Sequence, residues 1–133
     1  MQNISYEMTK SVSAEQLSTL FEKSGIRRPI DDLKRLQKML ENADLTFTAW
    51  DNDKLVGIAR SVTDFSYCCY LSDLAVDQDY QKKGIGKELV RRTKDYIGDE
   101  VTLVLVSAPA AMEYYPILGF EKLDNAFAIK KKR

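Results

Sequence analysis

The stretch "DYQKKGIGKELV", residues 79–90, decides how this chain is read. Gly84 and Gly86 stand one residue apart among Lys82, Lys83 and Lys87, at the head of an apolar repeat. Ile85, Leu89, Val90, Tyr96 and Ile97 carry that repeat at helical spacing. A helix start exposes unpaired backbone N–H groups and partial positive charge. Glycine lets an anion approach such groups closely. Two nucleotide loops look similar and both fail. The dinucleotide fingerprint needs a third glycine where Leu89 stands. The Walker loop needs a glycine at Gln81 and a hydroxyl residue at Glu88. By its residues alone the turn is either a plain helix start among lysines or a cradle for another phosphate.

Working outward, residues 4–8 alternate loosely and suggest an edge strand. Ser13 reads as an N-cap, followed by Leu17, Leu20 and Phe21 at helical spacing. "SGIRRPI" (24–30) breaks that helix, and Asp31 or Asp32 opens a second one carrying Leu33, Leu36, Met39 and Leu40. "LTFTAW" (45–50) alternates with period two, "DND" is a hairpin turn, and "KLVGIARSVTD" (54–64) returns. Gly57 within it marks a bulge or a close backbone approach. A third run spans 65–76. "VTLVLV" (101–106) reads as a strand buried on both faces, parallel to a neighbour. A short helix is expected from about Pro109, kinked or ended by Pro116. "GFEKLDNAFAIKKKR" (119–133) suggests one or two closing strands and a basic tail. The order β-αα-βββ-α-β-α-β predicts an α/β domain with a mixed sheet.

Composition narrows the function. A chain of 133 residues fits one domain, residues 1–133, and buries enough surface to fold without disulfides or metal. Lys+Arg and Asp+Glu are equal at 20 each, so a dedicated nucleic-acid binder is disfavoured. No apolar run reaches the ~20 residues of a membrane span, and the start lacks a signal-peptide core. These features predict a soluble cytoplasmic protein. Cys68 and Cys69 are adjacent, which suits opposite faces of a strand better than a disulfide or a zinc site. Histidine is absent, so Ser-His-Asp and Cys-His hydrolases of the usual kind are excluded.

With its flanks, the glycine turn becomes specific. "DLAVDQDYQKKGIGKEL" resembles the acetyl-CoA-binding motif of the GNAT superfamily of N-acetyltransferases. There a strand ending in L-x-V leads into [QR]-x-x-G-x-[GA] and a helix; the matching residues are Leu74, Val76, Gln81, Gly84 and Gly86. Downstream, "AAMEYYPILGF" is similar to the family's A-x-x-x-Y-x-x-x-G-F turn through Ala111, Tyr115, Gly119 and Phe120. The match covers about residues 71–120. One departure is Ala108, where many members carry a cofactor-contacting asparagine.

The resemblance implies the GNAT-like fold, a mixed central sheet flanked by helices and splayed between its fourth and fifth strands, mapped to 65–76 and 101–106. It implies acetyl-CoA as co-substrate and no metal. The pantetheine arm would pair with the backbone of Leu74, Ala75 and Val76, the last also the oxyanion donor. Gln81, Lys82, Lys83, Gly84, Ile85, Gly86 and Lys87 would form the pyrophosphate seat, where a side chain at Gly84 or Gly86 would fill the space the phosphates need. Tyr115 would protonate the departing thiolate. Asp73, flanked by Leu71 and Leu74, is either the base or a structural carboxylate; Glu113 is a weaker base candidate, and Tyr114 is core or pocket lining. Arg27, Arg28, Asp31 and Asp32 lie in a loop that borders the acceptor site in many members, with Asp31 and Asp32 also readable as helix caps. The expected activity is direct acetyl transfer, in a ternary complex, to a primary amine of a small molecule. A protein lysine or N-terminal acetyltransferase and a non-catalytic acyl-CoA-binding module are the alternatives. Dimers are common in the superfamily, so a homodimer is compatible with the resemblance.

Overall fold

The computed structural model describes residues 3–133. Helix α1 (Ala14–Ser24) opens with a capping box: the Ser13 hydroxyl accepts from the Gln16 N–H at 3.0 Å, and the Gln16 side chain accepts from the Ser13 N–H at 2.9 Å. Gly25, at φ 81°, ends it. Asp32 rather than Asp31 caps α2 (Leu33–Glu41), accepting from the Arg35 N–H. Leu17, Leu20, Phe21 and Leu36 turn inward from this pair.

Five strands follow the order β1-β2-β3-β4-β5: β1 (Ile4–Glu7), β2 (Leu45–Asp51), β3 (Lys54–Thr63), β4 (Cys68–Val76) and β5 (Thr102–Val104). The first four pair antiparallel, and β5 joins β4 in parallel. Helix α3 (Ile85–Ile97) covers one face through Ile85, Leu89, Val90 and Ile97, packed on Phe47, Val56, Ala59 and Leu71. The α1–α2 pair covers the other face, packed on Trp50, Leu55, Ile58 and Ala75.

Two bulges set which side chain meets which layer. In β3, Val56 is the extra residue, because Ala49 pairs with Gly57 and Trp50 with Leu55. In β4, Ser72 is extra, because Arg60 pairs with Asp73 and Ser61 with Leu71. One inserted residue reverses the alternation beyond it. Cys69 and Leu71 therefore face α3, whereas Asp73 and Ala75 lie on the α1–α2 face. Gly57 proves to be both things expected of it. It adjoins the bulge, and a Cβ there would sit 3.1 Å from both Ile85 and Leu89.

The structure corrects five expectations. β4 begins at Cys68, not at residue 65: Asp64 accepts from the N–H groups of Ser66, Tyr67 and Cys68, and Phe65 is left-handed at φ 59°. That Asx turn uses the backbone a strand would need. Tyr96 leaves the α3 stripe, 53% exposed, and packs edge-on against Phe47 and Phe65. β5 is only three residues long; Val101 is buried but Val106 is exposed, so it is not a doubly covered strand. Residues 121–133 form no strand, and Phe127 and Ile129 stand fully exposed. Alternation in that segment has no ladder to join. The expected helix from Pro109 splits into a 3₁₀ turn (Pro109–Ala111) and a short helix α4 (Tyr114–Ile117), where Pro116 sits in the first turn and needs no N–H partner.

Gly57→Val overpacks the contact between β3 and α3. It should lower unfolding free energy by about 1–3 kcal/mol, read from urea denaturation.

Candidate active site

The loop from β4 to α3 is built on buried polar anchors. The Asp77 N–H donates to the Val56 carbonyl at 2.9 Å, and its carboxylate accepts from the Asp79 N–H. Tyr80 is buried and donates to the Asp51 carboxylate at 2.5 Å. That bond first, and burial second, push its phenol up to about 12. The ammonium groups of Lys54 and Lys83 lie 5.0 and 5.8 Å from its ring centre. Gln81 folds back to donate to the Val76 carbonyl at 2.8 Å, clamping the loop to the strand end.

Lys82 (φ 65°) and Gly84 (φ 85°) are both left-handed and turn the chain into α3. Gly84 is the N-cap, and no side chain caps this helix. Its first-turn N–H groups are therefore available to an anion. The two glycines serve different ends. A Cβ at Gly84 would meet nothing within 4 Å, so that position requires glycine for its φ and faces open space. A Cβ at Gly86 would lie 2.5 Å from the Tyr114 hydroxyl, so its missing side chain makes room for that tyrosine. Lys82, Lys83 and Lys87 are exposed around the mouth, while Ile85 and Gly86 are buried.

The β4–β5 ladder ends at Tyr70 opposite Val104. From residue 71 to 76 the β5 side of β4 has no strand partner among the described residues. The sheet splays at this point. Leu74 and Val76 line the α3 side of the gap, with Ala75 behind them on the α1–α2 side. From beyond β5, α4 brings two tyrosines to the opening. Tyr114 reaches Gly86. Tyr115 is half-buried, edge-on to Tyr114 (5.4 Å between centres) and Phe120 (5.7 Å). Burial pushes the Tyr115 phenol up, Tyr114 adds to this, and the positive charge of Arg28 pulls it partly back.

On the α1–α2 face, Asp73 is completely buried. One oxygen accepts from Arg28 Nε at 2.6 Å and the other from Arg60 Nε at 2.5 Å. Arg28 also donates to the Ser72 and Arg27 carbonyls, and Arg60 to the Ser72 hydroxyl and the Met39 carbonyl. The structure thus brings Asp73 and Arg28 together, while Tyr115 contacts Tyr114 and Phe120 and feels the Arg28 charge. Glu113 stays exposed, and Asp32 is spent on its cap. Sequence reasoning missed Arg60 and the Ser72 bulge. The available signal was an arginine inside the apolar run "VGIARSV", since a charge in a strand core requires an ionic partner.

A five-stranded mixed sheet, splayed at its one parallel pair, with a glycine-led helix at the opening, defines the class. Residues 11–120 match the Acetyltransferase (GNAT) family, and the chain belongs to it and is an acetyltransferase. It is 27% identical over 120 residues to an uncharacterized N-acetyltransferase, ycf52, of Pyropia yezoensis, covering 85% of this chain and 67% of that protein. A probable acetyltransferase from meticillin-resistant Staphylococcus aureus superposes over the full length of both chains with a TM-score of 0.83 at 23% identity. The aminoglycoside N-acetyltransferase AAC(6')-Iy, solved with CoA, shares the fold with a TM-score of 0.73 at 16% identity, over 100% of this chain and 97% of that one. Among the described residues, no helix is long and apolar enough to cross a membrane.

Asp73→Ala strands two guanidinium groups, one nearly buried. It should destabilise the fold by about 3–5 kcal/mol, measured by urea unfolding against the wild type.

Proposed function

We propose that this acetyltransferase moves the acetyl group of acetyl-CoA to a primary amine of a small molecule, by direct attack within a ternary complex. The observation that carries this reading is one gap with two complementary walls. The uncapped mouth of α3 adjoins the free β4 edge on one side, and Tyr115 stands on the other. These features fit CoA: open space before Gly84 for phosphate, and unpaired strand backbone for the amides of the pantetheine arm.

Acetyl-CoA supplies an activated carbonyl and a thiolate leaving group. The chain's own residues do the rest. Backbone N–H groups across Lys82, Lys83, Gly84, Ile85, Gly86 and Lys87 hold the pyrophosphate, with Gln81 bracing the loop. Leu74, Ala75 and Val76 align the pantetheine arm, and the Val76 N–H faces the reacting carbonyl oxygen. Tyr115 keeps its proton at neutral pH and donates it to the thiolate. Asp73 is closed to solvent with each oxygen on a guanidinium, which supports a positioning role over that of the base. The amine's proton then leaves through water.

Tyr115→Phe should lower kcat by about 10²-fold with little change in CoA affinity. Because Tyr115 must be protonated to act and its pKa is raised, kcat in the wild type should fall only as pH rises above the ordinary tyrosine value of about 10. A stopped-flow thiol assay over that range reads both; unchanged turnover in the variant removes the acid role. Gly84→Val forces a β-branched residue to φ 85° and should weaken CoA binding by at least about tenfold, titrated calorimetrically on protein verified as folded.

A further inference from the structure

Two cations and one anion meet at Asp73. Arg60 uses three of its five N–H donors, on Asp73, Ser72 and the Met39 carbonyl, and is nearly buried, so what it has left is closed to a ligand. Arg28 is different: its side chain is 27% exposed. Three of its five N–H donors are used, on Asp73, Ser72 and Arg27. One donor on each terminal nitrogen remains. The cluster holds two cations and one anion, and Arg28 is its solvent-exposed cation.

Arg28 lies beside the strand that forms one wall of the gap. Arg28 bonds the carbonyl of Ser72, the bulged residue that adjoins the unpaired part of β4, and its charge acts on the Tyr115 hydroxyl. A cofactor seated on the α3 mouth fills the α3 side of the opening. An acceptor must then approach from the α1–α2 side, past Arg28. A guanidinium with one donor free on each terminal nitrogen matches the two oxygens of a carboxylate, and one carboxylate neutralises the surplus charge. A polycationic amine would instead bring ammonium groups against a cluster of net positive charge.

We infer that Arg28 is the specificity-determining residue of the acceptor site and that the acceptor is an amine carrying a carboxylate, of the amino-acid type. This rests on the acetyl-transfer reading above. Ser72 and Asp73 fix the guanidinium from behind, so the fork is presented rigid.

The test is a panel of matched amines assayed with acetyl-CoA by thiol release. Phenylalanine is set against phenethylamine, glycine against methylamine, and phosphoethanolamine against ethanolamine. The carboxylated member of each amino-acid pair should have the higher kcat/KM by about 10- to 100-fold, carried by KM. In Arg28→Gln that ratio should collapse toward unity, and Arg28→Lys, which keeps the charge and loses the fork, should retain part of it. Equal kcat/KM within the wild-type pairs overturns the inference while leaving the acetyltransferase reading intact, as does a ratio unchanged in Arg28→Gln. A preference for phosphoethanolamine over the amino acids overturns the carboxylate assignment. Thiol release from no amine, with CoA bound, overturns both readings. Should Arg28→Gln fail to fold, the wild-type pairs and Arg28→Lys still decide.

Discussion

Asp73 lies under the α1–α2 face of the sheet with a guanidinium on each carboxylate oxygen, and neither arginine belongs to its own strand. Arg60 reaches it from β3, and Arg28 from the loop between α1 and α2. Taking these charges from water costs several kcal/mol per ion, offset only by good geometry and further hydrogen bonds. Both are present: short contacts to each oxygen, and further hydrogen bonds to Ser72, Met39 and Arg27. Removing any one member strands the others. The cluster therefore ties two things together: the bulge in β4 and the position of the α1–α2 loop.

The two walls of the gap use different physics. On the α3 side the proposed binding rests on neutral backbone: uncapped N–H groups, a strand edge without a partner, and a left-handed glycine facing open space. Lys82, Lys83 and Lys87 stand exposed around it and are screened by solvent. On the α1–α2 side the chemistry is ionic and partly buried, where a charge is less screened and acts with more force. A backbone cradle accepts any molecule with the same phosphate geometry. A half-buried guanidinium discriminates by charge.

The parts of the fold legible in the sequence are those whose period or cap is local. The Ser13 capping box, the hairpin at 52–53, the α3 stripe at 85–97 and the opposite faces of Cys68 and Cys69 all follow from spacing and turn chemistry. The glycine motif was legible because its residue types are dictated by backbone geometry. The bulges were not. An inserted residue such as Ser72 leaves no mark on the strand pattern, yet it moves Asp73 to the opposite layer from Leu71. Asp73 was thus visible as a buried acid, while its partners, 13 and 45 residues away in the chain, were not. The tail at 121–133 erred the other way, since alternation alone does not make a strand.

The adjacent tyrosines show how one short helix serves both walls. Consecutive residues on an α-helix point about 100° apart. Tyr114 turns toward α3, where its hydroxyl takes up the space left by Gly86. Tyr115 turns toward Phe120 and into the field of Arg28. Pro116 holds this arrangement. It is tolerated only in a first turn, so a helix containing it at this point must start at or just before Tyr114. Tyr114 is then the side chain through which α4 meets the mouth of α3. A side chain at Gly86 would meet the Tyr114 hydroxyl first, at the free end of a partly exposed ring, so that ring and not α4 is the part that gives way.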